Sequence, residues 1–140
     1  MLRITTPIGF GLLFFGLPSQ SATWVELFST PEASAYADTD SLTIGGESAR
    51  VWLKYVPVKP MEIPEDAKRT TDAGLYDYQV SLKYFQCKER RVGSVREDYF
   101  ASDGTLLASR LEAAETAQYY DIPPDSIGER LFKKLCTIPG

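Results

Sequence analysis

Two cysteines, Cys87 and Cys136, are the feature that most restricts what this chain can fold into. The 140 residues contain no others. In a small exported domain two cysteines usually pair, and closing a loop of about 50 residues is worth about 4 kcal/mol in chain entropy. We therefore predict a Cys87–Cys136 disulfide. The alternative is a free reactive thiol, which needs a nearby base, and the chain has no histidine.

The beginning of the chain predicts export. Arg3 precedes an apolar run at residues 8–17. The run is shorter than the roughly 20 apolar residues that cross a bilayer, and it has the length of a signal-peptide core. Small residues at Ser19 and Ser21 then fit the positions that a signal peptidase recognises.

We predict that residues 1–21 are a signal peptide, cleaved after Ser21 or after Ala22, and that residues 22–140 form a single domain. No second long apolar segment follows, so we expect no transmembrane anchor in the processed chain. The net charge is −4. An acidic protein lacks the basic field that nucleic-acid binding requires, so nucleic acid is excluded as a partner.

Short apolar stretches separated by turn residues predict an antiparallel sheet. Gly45-Gly46 favours a tight hairpin, and Asp103-Gly104 favours another turn. The predicted strands are Trp24–Phe28, Ala35–Ala37, Leu42–Ile44, Ser48–Tyr55, Tyr78–Tyr84, Val92–Phe100 and Thr105–Ser109.

One strand leaves its buried face open to two interpretations. Alternate residues from Tyr78 to Tyr84 are apolar, which is typical of a half-buried strand. Cys87 lies on the opposite parity. Either the strand bends near Phe85, or both of its faces are covered.

The segment 57–74 predicts one long loop. Pro57, Pro60 and Pro64 interrupt any strand pattern, and residues 65–72 are polar. Loops of this length are either functional or mobile. We expect a flexible loop rather than a functional one.

The last element is predicted to be a helix. Ser126 and Glu129 have the spacing of a capping box, and residues 112–119 before them predict a loop with one helical turn. The apolar stripe of the helix is formed by Ile127, Leu131 and Leu135, with Phe132 and Cys136 beside it. The fold class is therefore α+β, an antiparallel sheet with a C-terminal helix packed on one face and tied by the disulfide.

The residues point away from catalysis. Without histidine, and with both cysteines paired, the remaining candidates are carboxylates, lysine and tyrosine. Asp38 and Asp40 are the nearest carboxylate pair, but together with Ser41 they are more typical of turn capping, and further calcium-loop ligands are missing. We predict a non-enzyme with no catalytic residue, no metal site and no cofactor.

One basic patch is a candidate binding site. Lys88, Arg90 and Arg91 lie together at a predicted hairpin end, with Lys83 and Arg96 close by in sequence. Such a patch suits a phosphate, a sulfated glycan or an acidic stretch of a partner protein. The alternative is a solvated hairpin end whose charge is balanced by neighbouring carboxylates.

Several short motifs span almost all of the predicted mature chain. They are Trp24-Val25, Tyr36, Asp38, Ser41, Arg50-Val51-Trp52, Cys87-Lys88-Glu89-Arg90-Arg91, Tyr99, Gly104, Pro124-Asp125-Ser126-Ile127-Gly128-Glu129 and Cys136. In this order, and with this spacing of the cysteines, the chain resembles the surface-adhesin protein E-like domain of exported bacterial proteins.

The resemblance implies a curved antiparallel sheet with the C-terminal helix on its concave side, held there by the disulfide. It also implies an envelope protein of a Gram-negative bacterium, in the periplasm or at the cell surface, that binds host matrix or plasma proteins. We therefore expect a non-catalytic binding module with a protein or an anionic glycan as partner, and we consider a homodimer. The alternative is a periplasmic structural or accessory protein.

Overall fold

The computed structural model describes residues 22–136, so the predicted signal peptide at residues 1–21 lies outside the described part and stays a prediction. The fold is mostly antiparallel sheet with one C-terminal helix, which confirms the predicted class. The elements in chain order are β1 (Trp24–Ser29), β2 (Ala33–Gly45), β3 (Ser48–Pro57), β4 (Met61–Glu62), β5 (Lys68–Arg69), β6 (Leu75–Tyr76), β7 (Tyr78–Gln86), β8 (Arg91–Phe100), β9 (Leu106–Leu111), β10 (Tyr119–Asp121) and α1 (Ile127–Cys136).

Within residues 22–136, eight strands form one sheet in the order β1-β2-β3-β7-β8-β9-β5, and β10 also pairs with β8. β4 and β6 pair with each other apart from this sheet. The predicted turns are confirmed at Gly46 and Gly104, whose φ angles of 60° and 89° suit glycine because it lacks a Cβ. Most sheet neighbours are therefore chain neighbours joined by short turns.

β2 corrects the prediction of two separate strands around Asp38. It is one strand whose register with β3 shifts between Asp38 and Thr43. The Asp38 carboxylate accepts a hydrogen bond from the Asp40 backbone N–H at 3.1 Å, and the Ser41 hydroxyl accepts one from the Trp52 N–H at 3.0 Å. The side-chain oxygens thus satisfy backbone groups at the bulge, which agrees with the turn-capping interpretation for Asp38 and Ser41, whereas the Asp40 carboxylate accepts a hydrogen bond from the Thr23 hydroxyl.

The predicted cap of α1 is confirmed with one difference. The Ser126 hydroxyl accepts a hydrogen bond from the Glu129 N–H at 3.1 Å. The Glu129 carboxylate accepts one from the Asp125 N–H at 2.6 Å, one residue before the position that a capping box uses. The backbone bond to Asp125 is the main reason that the pKa of Glu129 is lowered.

The disulfide between Cys87 and Cys136 is confirmed, with 5.3 Å between the two Cα atoms. It joins the end of β7 to the last residue of α1 and holds the helix over the sheet. The buried residues between them, which we call the helix-side core, are Ala37, Ala49, Val51, Phe85, Ile122, Leu131, Phe132 and Leu135. Ile127 lies in the same apolar stripe as Leu131 but does not belong to this core, because it is 37% exposed.

The most deeply buried residues of β7 lie on the face opposite to its alternating apolar residues. Phe85 and Ser81 are buried, at 1% and 6% exposure, and they share the parity of Cys87. The alternate residues from Tyr78 to Tyr84 are half-buried. Both faces of β7 are therefore partly covered, and α1 packs on the face to which the disulfide attaches it.

Residues 57–74 correct the prediction of a loop without secondary structure. The segment contains β4 and β5, and it contributes Ile63 and Ala67, at 3% and 6% exposure, to a second cluster. This loop-side core consists of Ile63, Ala67, Tyr76, Tyr99, Leu107 and Ala108. Ile63 and Ala67 are isolated apolar residues among mainly polar ones, so no strand or helix periodicity predicts their burial. The flexibility of the segment stays a prediction.

Residues 112–119 contain the predicted helical turn, closed by a hydrogen bond of 2.8 Å from the Ala117 N–H to the Ala113 carbonyl. The sequence did not predict β10, which begins at Tyr119. A Cβ on Gly93 would lie 2.9 Å from both the Gln118 carbonyl oxygen and the Tyr119 ring. Glycine at position 93 thus lets β10 approach β8 closely.

Candidate functional site

The predicted basic patch lies at the turn between β7 and β8. The Lys88 ammonium is 3.9 Å from the carboxylate of Glu47, and both side chains are exposed. Arg91 lies 3.5 Å from Asp121 and donates a hydrogen bond of 2.9 Å to the Tyr119 carbonyl. Exposed pairs of this kind are each worth less than about 1 kcal/mol, so these two cations can exchange their partners at little cost.

Arg90 links the same turn to α1. Its backbone has a φ of 55°, its guanidinium is 3.8 Å from the Glu129 carboxylate, and it stacks 4.9 Å from the centre of the Phe132 ring. The three predicted residues thus contact three different carboxylates, and Arg90 also braces the helix against the turn. Binding of a partner by this patch stays a prediction.

A polar pocket lies between the two cores, on the same face of the sheet. Phe85 of the helix-side core lies six residues after Gln79 on β7, and side chains an even number of residues apart on a strand point to the same face. Because Tyr99 of the loop-side core pairs with Gln79, both cores lie on that face. The pocket encloses about 220 Å³ and is lined by Lys83, Val92, Gly93, Ser94, Glu97, Arg110, Glu112, Gln118 and Tyr120.

Lys83 is the half-buried cation of this pocket. Its ammonium donates a hydrogen bond of 2.5 Å to the Ser94 hydroxyl on the paired strand. Burial lowers the pKa of Lys83, and the nearby Glu97 carboxylate opposes this shift. From the sequence Lys83 is only a neighbour of the basic patch, because polar residues that alternate along a strand are typical of a solvent-facing row.

Glu97 and Arg110 form the other side of the pocket. The Tyr99 hydroxyl donates to the Glu97 carboxylate at 3.0 Å, and burial, followed by Glu97, raises the pKa of Tyr99. Arg110 lies 3.7 Å from Glu97, 3.1 Å from Asp66 and 3.6 Å from Glu112. The arginine is therefore held by three carboxylates, and the pocket can hydrogen-bond a small polar group.

The other face of the sheet carries a row of aromatic side chains. By register, Trp24 and Trp52 both flank Asp38, and Tyr84 and Tyr119 both pair with Gly93. We call the aromatic face the set Trp24, Tyr36, Trp52, Tyr78, Tyr84, Phe100 and Tyr119. Each is partly exposed and none belongs to either core.

Ring contacts order this aromatic face. Tyr78 stacks on Phe100 with 5.0 Å between ring centres. The Lys54 ammonium lies 4.6 Å from the centre of the Tyr78 ring and 5.9 Å from that of Trp24. Such cation–π contacts hold a lysine over apolar rings while its charge stays available. The face thus combines ordered aromatic surface with a positive charge. The number of aromatic residues in the sequence does not indicate where they come together.

Within residues 22–136 no three His, Cys, Asp or Glu side chains are grouped as metal ligands would be. In that same stretch, no helix has both the length and the apolar character that crossing a membrane demands.

Comparison with known proteins places the chain in a family. The family model for surface-adhesin protein E matches residues 24–137. The chain belongs to the surface-adhesin protein E family. No curated protein shows significant similarity to it. The matched range contains every strand and the helix of the described chain and both cysteines.

Solved structures of Haemophilus influenzae protein E share this family fold. The structure from a non-typeable strain superposes with a TM-score of 0.53 at 14% identity and covers 86% of this chain and 80% of that one. The selenomethionine form gives 0.52 at 15% identity, with 73% and 78% covered. A further protein E structure gives 0.53 at 13% identity, with 84% and 89% covered. At such identities the likeness concerns the fold.

Proposed function

We propose that this chain is an exported, adhesin-like binding module of the Gram-negative envelope that contacts a partner protein, in the host matrix or plasma, through its aromatic face. Membership of the surface-adhesin family supports adhesin-like binding. The observation that carries the proposal is the row of partly exposed aromatic side chains on the face of the sheet away from α1. Tyrosine and tryptophan are enriched among the residues that contribute most to protein interfaces.

The geometry favours binding at this face for an entropic reason. Trp52 and Tyr84 lie on central strands, and Tyr78 is already stacked on Phe100. Aromatic side chains that are ordered before binding lose little conformational freedom when a partner covers them. The face therefore binds noncovalently, as a preformed surface.

The basic patch supplies a second contact in this proposal. Lys88 and Arg91 sit at the tip of the β7–β8 hairpin, and exposed cations speed encounter with anionic partners. An acidic protein segment or a sulfated glycan meets this requirement. Because each exposed charge contributes little, this contact sets the salt dependence of binding more than its strength.

A binding assay with matched variants tests the proposal. The purified exported protein is titrated against immobilised laminin, vitronectin and heparin, and we expect Trp52→Ala to weaken protein binding about tenfold or more, as for a buried interface aromatic. Tyr120→Ala is the control, since Tyr120 is 60% exposed but pairs with Val92, which packs on the helix side. Lys88→Ala with Arg91→Ala should weaken binding only a few-fold and mainly at low salt.

Two outcomes would redirect the proposal. Binding that survives Trp52→Ala and Tyr36→Ala but is lost with Lys88→Ala and Arg91→Ala moves the site to the basic patch. The absence of binding to all three probes favours the periplasmic accessory role. Protease treatment of intact cells separates the compartments, because only a surface-displayed protein is removed before the envelope is broken.

A further inference from the structure

An apolar groove runs between β1 and α1, on the helix side of the sheet. Val25 and Leu27 from β1 and Ile127 from α1 line it, and it encloses about 370 Å³. Val25 is 46% exposed and Ile127 is 37% exposed. Two large apolar side chains therefore face each other across an open groove of a size that is ordinary for a binding pocket.

One wall of the groove is the edge of the sheet. Among residues 22–136, β1 has β2 as its only strand neighbour. The Thr39 N–H donates to the Thr23 carbonyl, so by alternation Thr23 and Val25 direct their backbone groups to β2, while those of Trp24 and Glu26 point outward. Outward N–H and C=O groups on an edge strand are a template for another strand.

The other wall carries positive charge. Arg130 and Lys134 line the groove from α1, four residues and about one turn apart. Both are exposed, and neither lies within ion-pair distance of a carboxylate in the described part of the chain, whereas the adjacent Lys133 is paired with Glu129 at 3.4 Å. Glu26 is the single acidic residue that lines the groove. The rim therefore favours an anionic occupant.

We propose that the edge of β1 and this groove bind an extended segment of a partner protein, which joins the sheet as an added strand. A strand beside β1 lies about 4.8 Å from it, and its alternate side chains point towards α1. An apolar side chain at one such position enters the groove, and acidic side chains two residues before and after it reach Arg130 and Lys134. The recognised pattern is acidic-x-apolar-x-acidic, a case of β-strand addition with side-chain pockets for specificity.

Two other occupants fit the observations less well. A fatty acid would use the groove and the cations but would make no hydrogen bond to the outward backbone groups of β1. A second copy could instead pair its own β1 with this one about a two-fold axis normal to the sheet. That pairing would place both α1 helices on the same side of the sheet. It would also bring Arg130 and Lys134 close to the same two residues of the other copy. Like charges without partners oppose that arrangement.

A designed peptide tests the inference. The probe is the acetylated and amidated peptide Thr-Glu-Thr-Val-Thr-Glu-Thr, labelled with fluorescein, and its anisotropy is measured with the purified exported protein. We expect saturable binding, and at least about tenfold weaker binding when both glutamates of the peptide are lysine. Two further peptides carry N-methyl groups on one or the other alternating set of backbone amides. Because only one set can face β1, we expect one methylated peptide to bind and the other to fail.

Protein variants locate the site. Arg130→Glu with Lys134→Glu should weaken peptide binding at least about tenfold, and Ile127→Lys should abolish it. Lys88→Glu with Arg91→Glu makes the same change of charge at the hairpin end and should leave binding within about twofold. Trp52→Ala lies on the opposite face and should also have no effect, so this test is independent of the proposed adhesin function.

Four results would overturn the inference. They are no peptide binding, equal binding of both N-methylated peptides, saturable binding of dodecanoate without peptide binding, and a dimer in analytical ultracentrifugation that Ile127→Lys dissociates while the peptide has no effect. The third result would assign the groove to an amphiphile, and the fourth to a second copy of the chain.

Discussion

The two cores on one face of the sheet are built in opposite ways. In the helix-side core, one regular helix supplies Leu131, Phe132 and Leu135, and a disulfide attaches that helix to the strand that carries Phe85. In the loop-side core, an irregular segment with two-residue strands supplies Ile63 and Ala67 against the sheet. The first core is stabilised by a covalent link and a periodic apolar stripe, and the second by individual apolar side chains.

Between the two cores the same face is polar. Lys83 bonds to Ser94, and Glu97 accepts from Tyr99 and lies near Arg110. Charged groups that are hydrogen-bonded in pairs can be buried at modest cost, while unpaired ones cannot. Within residues 22–136 the domain therefore buries two separate apolar layers rather than one continuous layer, and the polar pocket lies between them.

The largest expected effect is the loss of the disulfide. Cys87→Ala with Cys136→Ala should lower the free energy of unfolding by about 4 kcal/mol, because the unfolded chain regains the entropy of an open loop of about 50 residues. Urea denaturation measures the loss. Hydrogen exchange separates the two cores, since we expect the amides of α1 to lose more protection than those of β9. An equal loss in both elements would show that the two cores unfold as one unit.

The next largest loss of stability is expected from a substitution that tests whether residues 57–74 are part of the folded domain. Ile63→Ala should cost about 3 kcal/mol, as for other buried isoleucines truncated to alanine. Val58→Ala is the control in the same segment, because Val58 is 68% exposed, and it should change stability by less than about 0.5 kcal/mol. Equal and negligible effects of the two substitutions would support the flexible loop that the sequence predicts and would remove the loop-side core from the comparison.

The smallest effect concerns the polar region between the cores. Burial lowers the pKa of Lys83 from its ordinary 10.5, so between the folded and the unfolded pKa the unfolded chain binds more protons and stability rises with pH. Lys83→Met should abolish this rise and stabilise the protein at neutral pH by about 1 kcal/mol. Thermal melts from neutral pH to about pH 10, the ordinary tyrosine pKa, measure it.

Lys88→Met is the control for that measurement, since Lys88 is an exposed lysine. It should leave the pH dependence of the parent unchanged. Tyr99 contributes to the pH dependence of stability with the opposite sign. Because its pKa is raised, its contribution stabilises the fold below pH 10 and is lost as the pH rises further. A parent and a Lys83→Met variant with identical pH dependence would contradict the burial of Lys83 as a charged group.

Much of the fold could be predicted because it depends on local or covalent features. The alternation of apolar residues, the glycines at positions 46 and 104, and the Ser126–Glu129 cap each act within a few residues. The disulfide joins positions that are far apart in the sequence, but with two cysteines in the chain each has a single possible partner. For the candidate site, the sequence located Lys88, Arg90 and Arg91 at a hairpin end, yet the carboxylates beside them come from β10, α1 and the turn before β3.

Local pattern alone was enough to predict β1, β3, β7, β8 and β9, the helix with its cap, and the covalent link between Cys87 and Cys136. Contacts between distant segments determine which face of β7 receives the helix, that Ile127 borders an open groove, that Ile63 is buried, and that Lys83 lines a polar pocket. The physical reason is that burial depends on surfaces that meet across distant parts of the chain. A half-buried strand has the same alternation whichever of its faces the rest of the protein covers.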